Sequence, residues 1–260
     1  MIKTSIFITC IFIVVLSGCA KGTKLIKEPE PYEIAKPIAS ASDGRLVATL
    51  DWVIVRKGPG EWARKVDWDE FLLRFENLSG SPIQITNVLV YDSLGTQIDT
   101  RPDRKKLVKG SKETKRRYAD SDIKIMAGWG AGTFALVSAG VLGLGYAVAV
   151  SSYTYALGAG AVAGVGPAVV VAAVAAPVLL FVGMSRSANN AKVNKEIIRR
   201  QTVLPIEIPS SQELPADLFF PLTPSPTHLE IIYTDTENNY HLIVDTQEAL
   251  NGLHLIPEKE

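Results

Sequence analysis

The sequence predicts an all-β soluble domain, an immunoglobulin-like antiparallel sandwich, interrupted by a two-helix transmembrane hairpin. Three observations carry that prediction. Residues 125–185 contain no Asp, Glu, Lys or Arg and consist almost wholly of Ala, Gly, Val and Leu, about twice the length that one membrane crossing requires. Short stretches dense in Val, Ile, Leu and aromatic residues, punctuated by Gly, Pro, Asn and Ser, lie on both sides of that run, as expected of antiparallel strands. Neither flank alone holds enough strands for an independent core, so the two halves are expected to pair around the insertion.

Composition bounds the functional classes. The 260 residues are 47% hydrophobic, with 27 Lys plus Arg against 27 Asp plus Glu, so no overall field attracts nucleic acid. The two cysteines, Cys10 and Cys19, both lie at the N-terminus. The body of the protein therefore has neither a disulfide framework nor a cysteine-based metal site.

Lys3 and the apolar run at 6–16 have the form of a secretory signal peptide covering 1–18. Leu16-Ser17-Gly18-Cys19 resembles the lipobox of bacterial lipoproteins. The resemblance implies cleavage between Gly18 and Cys19, diacylglycerol on the Cys19 sulfur and an acyl chain, such as palmitate, on the new amine. Several chains, at about 0.8 kcal/mol per buried CH2, make a durable anchor. In Gram-negative lipoproteins an Asp directly after the cysteine marks inner-membrane retention; Ala20 stands there, so the resemblance implies the outer membrane. Residues 19–45, with Pro29, Pro31 and Pro37, show no periodicity and read as a tether with an extended reach of about 70 Å.

The first half of the β domain is expected at 46–102. Strand candidates are 46–56, closed by Lys57-Gly58-Pro59-Gly60, the alternating Phe71, Leu73 and Phe75, and 83–91 before Asp92-Ser93-Leu94-Gly95. The second half is expected at 202–260, with candidates at 203–208, 229–234 and 240–245 and a turn at Asn238-Asn239. Spacing of this kind suggests a sandwich of six or seven strands.

Between the halves the hairpin is expected at 126–184, with spans at 129–150 and 158–182 broken by the polar cluster 151–155. At a 1.5 Å rise per residue these are about 33 to 37 Å long. Ala135, Ala139, Gly143 and Ala147 recur every four residues in the first span, and Gly160, Gly164, Ala168, Ala172 and Ala176 in the second. Such stripes allow close helix approach in lipid, and Gly128 and Gly132 add further small surface for neighbouring subunits. A homo-oligomer is the expectation that follows. The hairpin is flanked by basic segments at 103–125 and 185–201, suited to anionic headgroups once an exported chain meets the outer membrane from the periplasm.

At this level the organisation resembles that of TraT-type surface-exclusion and complement-resistance lipoproteins, and more loosely glycine-zipper envelope lipoproteins. The likeness covers the lipobox, the plan and the hairpin; no motif in the β halves matches, so surface exclusion is not carried over.

Enzymatic signatures are absent from the sequence. His228, His241 and His254 are scattered, without the tight spacing of a metal site, and no nucleophile elbow, zinc-helix or phosphate-loop motif occurs. Asp67, Asp69 and Glu70 read as solvated acids beside a turn. The expected function is a non-enzymatic, cofactor-free outer-membrane lipoprotein with its β domain in the periplasm. Its partners are membrane lipids, further copies of itself and an envelope protein. The alternative is an oligomeric α-helical pore or export-channel component.

Overall fold

Alternating apolar residues at 83–91 and 228–245 and doubly buried runs at 46–54 and 68–75 build the sheets of this protein, whose computed structural model describes residues 22–29, 34, 36–131, 178–235 and 238–257. In chain order the elements are β1 (Lys24–Leu25), β2 (Ala39–Ser42), β3 (Leu46–Ile54), β4 (Ala63–Arg64), β5 (Trp68–Asn77), β6 (Ile83–Tyr91), β7 (Gln97–Asp99), α1 (Arg104–Asp120), α2 (Val178–Arg200), β8 (Ile206–Ile208), β9 (Glu213–Pro221), β10 (His228–Thr234) and β11 (Asn239–Asp245). All strand pairing is antiparallel. One sheet has the order β2-β3-β5-β9, a second has β11-β10-β6-β7 with β8 also beside β6, and β1 pairs with β4 in a third.

The two halves of the sequence interleave in both large sheets. β5 takes β9 as its partner, with Phe71 opposite Leu218 and Leu73 opposite Ala216, while β6 is flanked by β10, β7 and β8. The core between these sheets includes Leu46, Leu50, Phe71, Leu73 and Phe75 from one and Ile83, Ile85, Leu229, Ile231 and Val244 from the other, all buried. Each such side chain contributes about 1.5 to 3 kcal/mol on leaving water. Phe71 and Phe220 meet edge to face at 5.1 Å. Asn77, wholly buried at the end of β5, donates through Nδ2 to the carbonyls of Ser81 and Ile208 and so stitches the halves at one end.

α1 lies on the β5–β9 side and is capped by Asp103, whose Oδ1 accepts from the Lys106 N–H at 2.9 Å. Its inward ridge is Leu107, Ser111, Thr114 and Tyr118, all buried, a 4-3-4 spacing that keeps one face toward the sheet. Gly110 lets the helix approach closely, since a Cβ there would stand 2.5 Å from Cγ of Pro221. α2 is held beside α1 by Asn194, whose Oδ1 accepts from the Arg104 N–H at 2.9 Å, and it buries Val193 and Ile197.

The expected transmembrane hairpin is overturned: among the described residues no helix is long and apolar enough to cross a membrane. Among the described residues the fold is instead three antiparallel sheets with two helices. The second span was to end at residue 182, but α2 runs unbroken from Val178 to Arg200 and contains Arg186, Lys192 and Lys195. The first was to begin at Trp129, yet 127–130 form a turn with Gly128 and Gly130 at φ 80° and 73°, a backbone that no helix interior adopts. Ile125 forms a β-bridge with Leu255, and the Met126 N–H donates to the His254 carbonyl, so 125–131 belong to the folded body. Gly128 is therefore not a helix-packing residue, and the glycine-zipper reading fails at the one stripe position that is described. Gly132, Ala135, Ala139, Gly143, Ala147, Gly160, Gly164, Ala168, Ala172 and Ala176 lie outside the described residues, as do Gly18, Cys19 and the whole signal peptide.

The expected tether also changes. β1 and β2 fall within 19–45 and join the sheets, and the basic segment 103–125 is largely α1.

Candidate functional site

Two buried ionic groupings fix the segments on either side of the Ala/Gly run to the sandwich. The first is at the foot of α2. Glu70 on β5 stands opposite Phe219, and Leu72 opposite Asp217 on β9, so both carboxylates lie on the face that α2 approaches. Arg200, the last residue of α2, reaches Glu70 Oε1 with Nη1 at 2.9 Å and Glu196 Oε1 with Nε at 3.2 Å. Its guanidinium sits 5.1 Å over the Trp62 ring, and Trp62 Nε1 donates to Glu70 Oε2 at 2.5 Å. Burial pushes the Glu70 carboxyl up to about 7 despite the opposing pull of Arg200. Burial likewise raises Asp217 to about 6, again against Arg200. The cavity beside them, walled by Val55, Trp62, Val66 and Trp68, has a volume of about 10 Å³, no more than a single water needs.

The second grouping closes the other end. His254 and Asp69 are both fully buried, with His254 Nε2 3.0 Å from Asp69 Oδ1. Asp69 Oδ2 accepts from the Thr223 N–H at 3.0 Å, and His254 Nδ1 accepts from the Gly128 N–H at 2.9 Å. With Nδ1 accepting, the neutral ring carries its proton on Nε2 and donates it to Asp69. A Cβ at Gly128 would stand 1.8 Å from the Arg56 carbonyl oxygen, so only glycine allows this contact.

Both arrangements hold elements together; neither presents a reactive group to a ligand-sized space. The remaining histidines are on the outer side of the second sheet. His228 stacks on Tyr91 with ring centres 4.4 Å apart, and His241 Nδ1 lies 2.6 Å from Glu230 Oε1. That contact with His241 is the main reason the Glu230 carboxyl lies below its ordinary value. Among the described residues no three His, Cys, Asp or Glu side chains are grouped to hold a metal ion.

The N-terminal segment joins the described fold at the helices. Thr23 Oγ1 donates to Asn190 Oδ1 of α2 at 2.7 Å and accepts from Arg104 Nε of α1 at 2.8 Å. Four residue steps separate Cys19 from Thr23, so their Cα atoms are within about 14 Å of each other. The expected tether of about 70 Å therefore does not fit between residue 19 and the folded part.

Charge is sharply divided over this architecture. α1 carries eight Lys and Arg against Glu113 and Asp120, and α2 five against Glu196. With 27 of each sign in the whole chain, the remainder holds fourteen basic and twenty-four acidic residues, and 201–257 contain no Lys or Arg at all.

Sequence reasoning missed Asp69 and Glu70, taken as solvated acids and found 1% exposed; their position between Trp68 and Phe71, inside an apolar run, was the available signal. It also missed Arg200 and Asp217, for which the sequence offered none. Comparison with models of protein families, with curated proteins and with solved structures finds no match for this chain.

Proposed function

We propose that this chain is a non-enzymatic, lipid-anchored protein of the bacterial cell envelope, whose β body serves as a structural or protein-interaction module held close to the membrane. The observation that carries this reading is the lipobox Leu16-Ser17-Gly18-Cys19 placed only four residues before Thr23, which the two helices clamp. Acylation at Cys19 then keeps the whole folded body near the bilayer surface. Ala20 after the cysteine favours the outer membrane, with the body on the periplasmic side and an envelope protein as its partner. The polar side chains of the two buried groupings are spent on one another, which supports a scaffold over a catalyst.

Intact mass and N-terminal fragmentation of the protein isolated from membranes test this. The expected product begins at Cys19 and carries diacylglycerol and an acyl chain, and Cys19→Ala accumulates as unprocessed precursor. A chain that begins at Met1, or one cut elsewhere and unmodified, overturns the proposal.

A further inference from the structure

We infer that the outward face of the α1–α2 layer is a docking surface for anionic phospholipid headgroups, which orients the body on the membrane. The inference rests on the lipid-anchored reading for its biological setting and on the helices for its chemistry. In α1 the buried ridge Leu107, Ser111, Thr114 and Tyr118 is matched, two residues back at each step, by Lys105, Lys109, Lys112 and Arg116, all exposed. A two-residue offset is about 200° around a helix, so these four form the ridge that faces directly away from the sheet. In α2, Val193 and Ile197 face inward, and the same offset gives an exposed ridge of Ala191, Lys195 and Arg199, with Lys192 exposed beside it. Six of these seven outward positions are basic, Ala191 being the exception.

Their charge is largely free to act on a ligand. Lys109 and Arg199 pair with Glu113 and Glu196 of their own helices at 3.9 and 2.6 Å, while Lys105, Lys112, Arg116, Lys192 and Lys195 make no ion pair among the described residues. The sheet away from the helices has no Lys or Arg on β6, β7, β10 or β11 and carries Asp99, Glu230 and Asp245, so an anionic surface attracts one face and repels the other. The lipid anchor emerges at this layer, through Thr23 between Arg104 and Asn190. A lipid surface is thus the anion closest to hand, and a broad array of lysines without a cavity suits a headgroup layer rather than a single small anion.

Vesicle flotation of the full chain carrying Cys19→Ser separates this surface from the acyl anchor. At low salt, vesicles containing one quarter phosphatidylglycerol should bind the protein far more strongly than pure phosphatidylcholine, and binding should fall steeply as NaCl rises. Each lysine is worth about fivefold in partition, so Lys105→Gln/Lys112→Gln/Lys195→Gln should lose on the order of 100-fold, whereas Arg45→Gln, which pairs with Asp235 on the sandwich, should change binding less than about twofold. Equal binding to neutral and anionic vesicles, insensitivity to salt, a folded triple variant that binds like the parent, or tighter binding to an oligonucleotide than to the vesicles overturns the inference. None of these results depends on whether Cys19 is acylated, so the anchor and the docking face stand or fall separately.

Discussion

Stability should rise as pH falls from 8 to 5, against the usual trend for proteins with ionised carboxylates, and Glu70→Gln should abolish most of that rise. Glu70 is 1% exposed, and burial lifts its carboxyl from 4.5 to about 7 even with Arg200 at 2.9 Å. Below pH 4.5 the group is protonated in both folded and unfolded chains. Between the two values the fold retains a proton that the unfolded chain has released, so each step up in pH favours unfolding. Above about 7 the carboxylate is charged in both states and the full penalty stands, about 3 kcal/mol at 1.36 kcal/mol per unit. Integrated from pH 5 to pH 8, the change is about 2 to 3 kcal/mol. Asp217, raised to about 6, adds a loss of the same sign over a lower range.

Urea unfolding followed by fluorescence reads this directly, because Trp52, Trp62 and Trp68 are buried and Trp62 touches Glu70. The wild type should lose about 1 M in midpoint between pH 5 and pH 8 for a slope of 2 to 3 kcal/mol per molar, while Glu70→Gln should lose only what Asp217 and the remaining groups contribute. Parallel curves for the two proteins across that range refute the account of the α2 foot.

Two glycine substitutions test the packing around it. Gly110→Ala improves helix propensity by about 1 kcal/mol, yet its Cβ would meet the Pro221 ring at 2.5 Å, and overpacking of about 1 to 3 kcal/mol should prevail; a higher unfolding midpoint would show that α1 does not rest on β9 as described. Gly128→Ala should break the turn at 127–130, combining a left-handed backbone cost of about 1 to 2 kcal/mol with a 1.8 Å clash against Arg56. Its readout is hydrogen exchange at Met126, Gly128 and His254, whose amides are bonded across this latch; unchanged protection there refutes the turn.

The parts of the fold that were readable in the sequence are those where one face is buried and the other is wet. β6 was placed to the residue because Ile83 and Ile85 alternate with Gln84 and Thr86, the apolar run continues through Val88, Leu89 and Val90, and turn residues stand at each end. β9 was invisible because Pro215, Pro221, Glu213 and Asp217 argue against a strand; it tolerates them as the outer strand of its sheet. α1 escaped notice for a different reason: its inward ridge contains Ser111 and Thr114, so the apolar period is half erased, although Asp103 was a legible cap. In the Ala/Gly run, composition alone suggested helix, and it could not reveal that Gly128 and Gly130 serve a turn pinned by His254, more than a hundred residues downstream. Buried charge was the hardest to see, since Asp69 and Glu70 acquire their burial only when β9, α2 and the C-terminal segment arrive.

The interleaving of the two halves bears on how the chain reaches this state. β5 and β6 each wait for partners that lie beyond residue 200, namely β9 for the one and β8 and β10 for the other. Until those partners emerge, the strands Trp68–Asn77 and Ile83–Tyr91 have bare hydrogen-bonding edges in a half-built sheet, a condition that invites pairing with other chains. Closing pairs so far apart in sequence costs loop entropy before any contact repays it, so folding should be slow for the protein's size. A chain of this design gains from meeting a holding chaperone before its second half is in place.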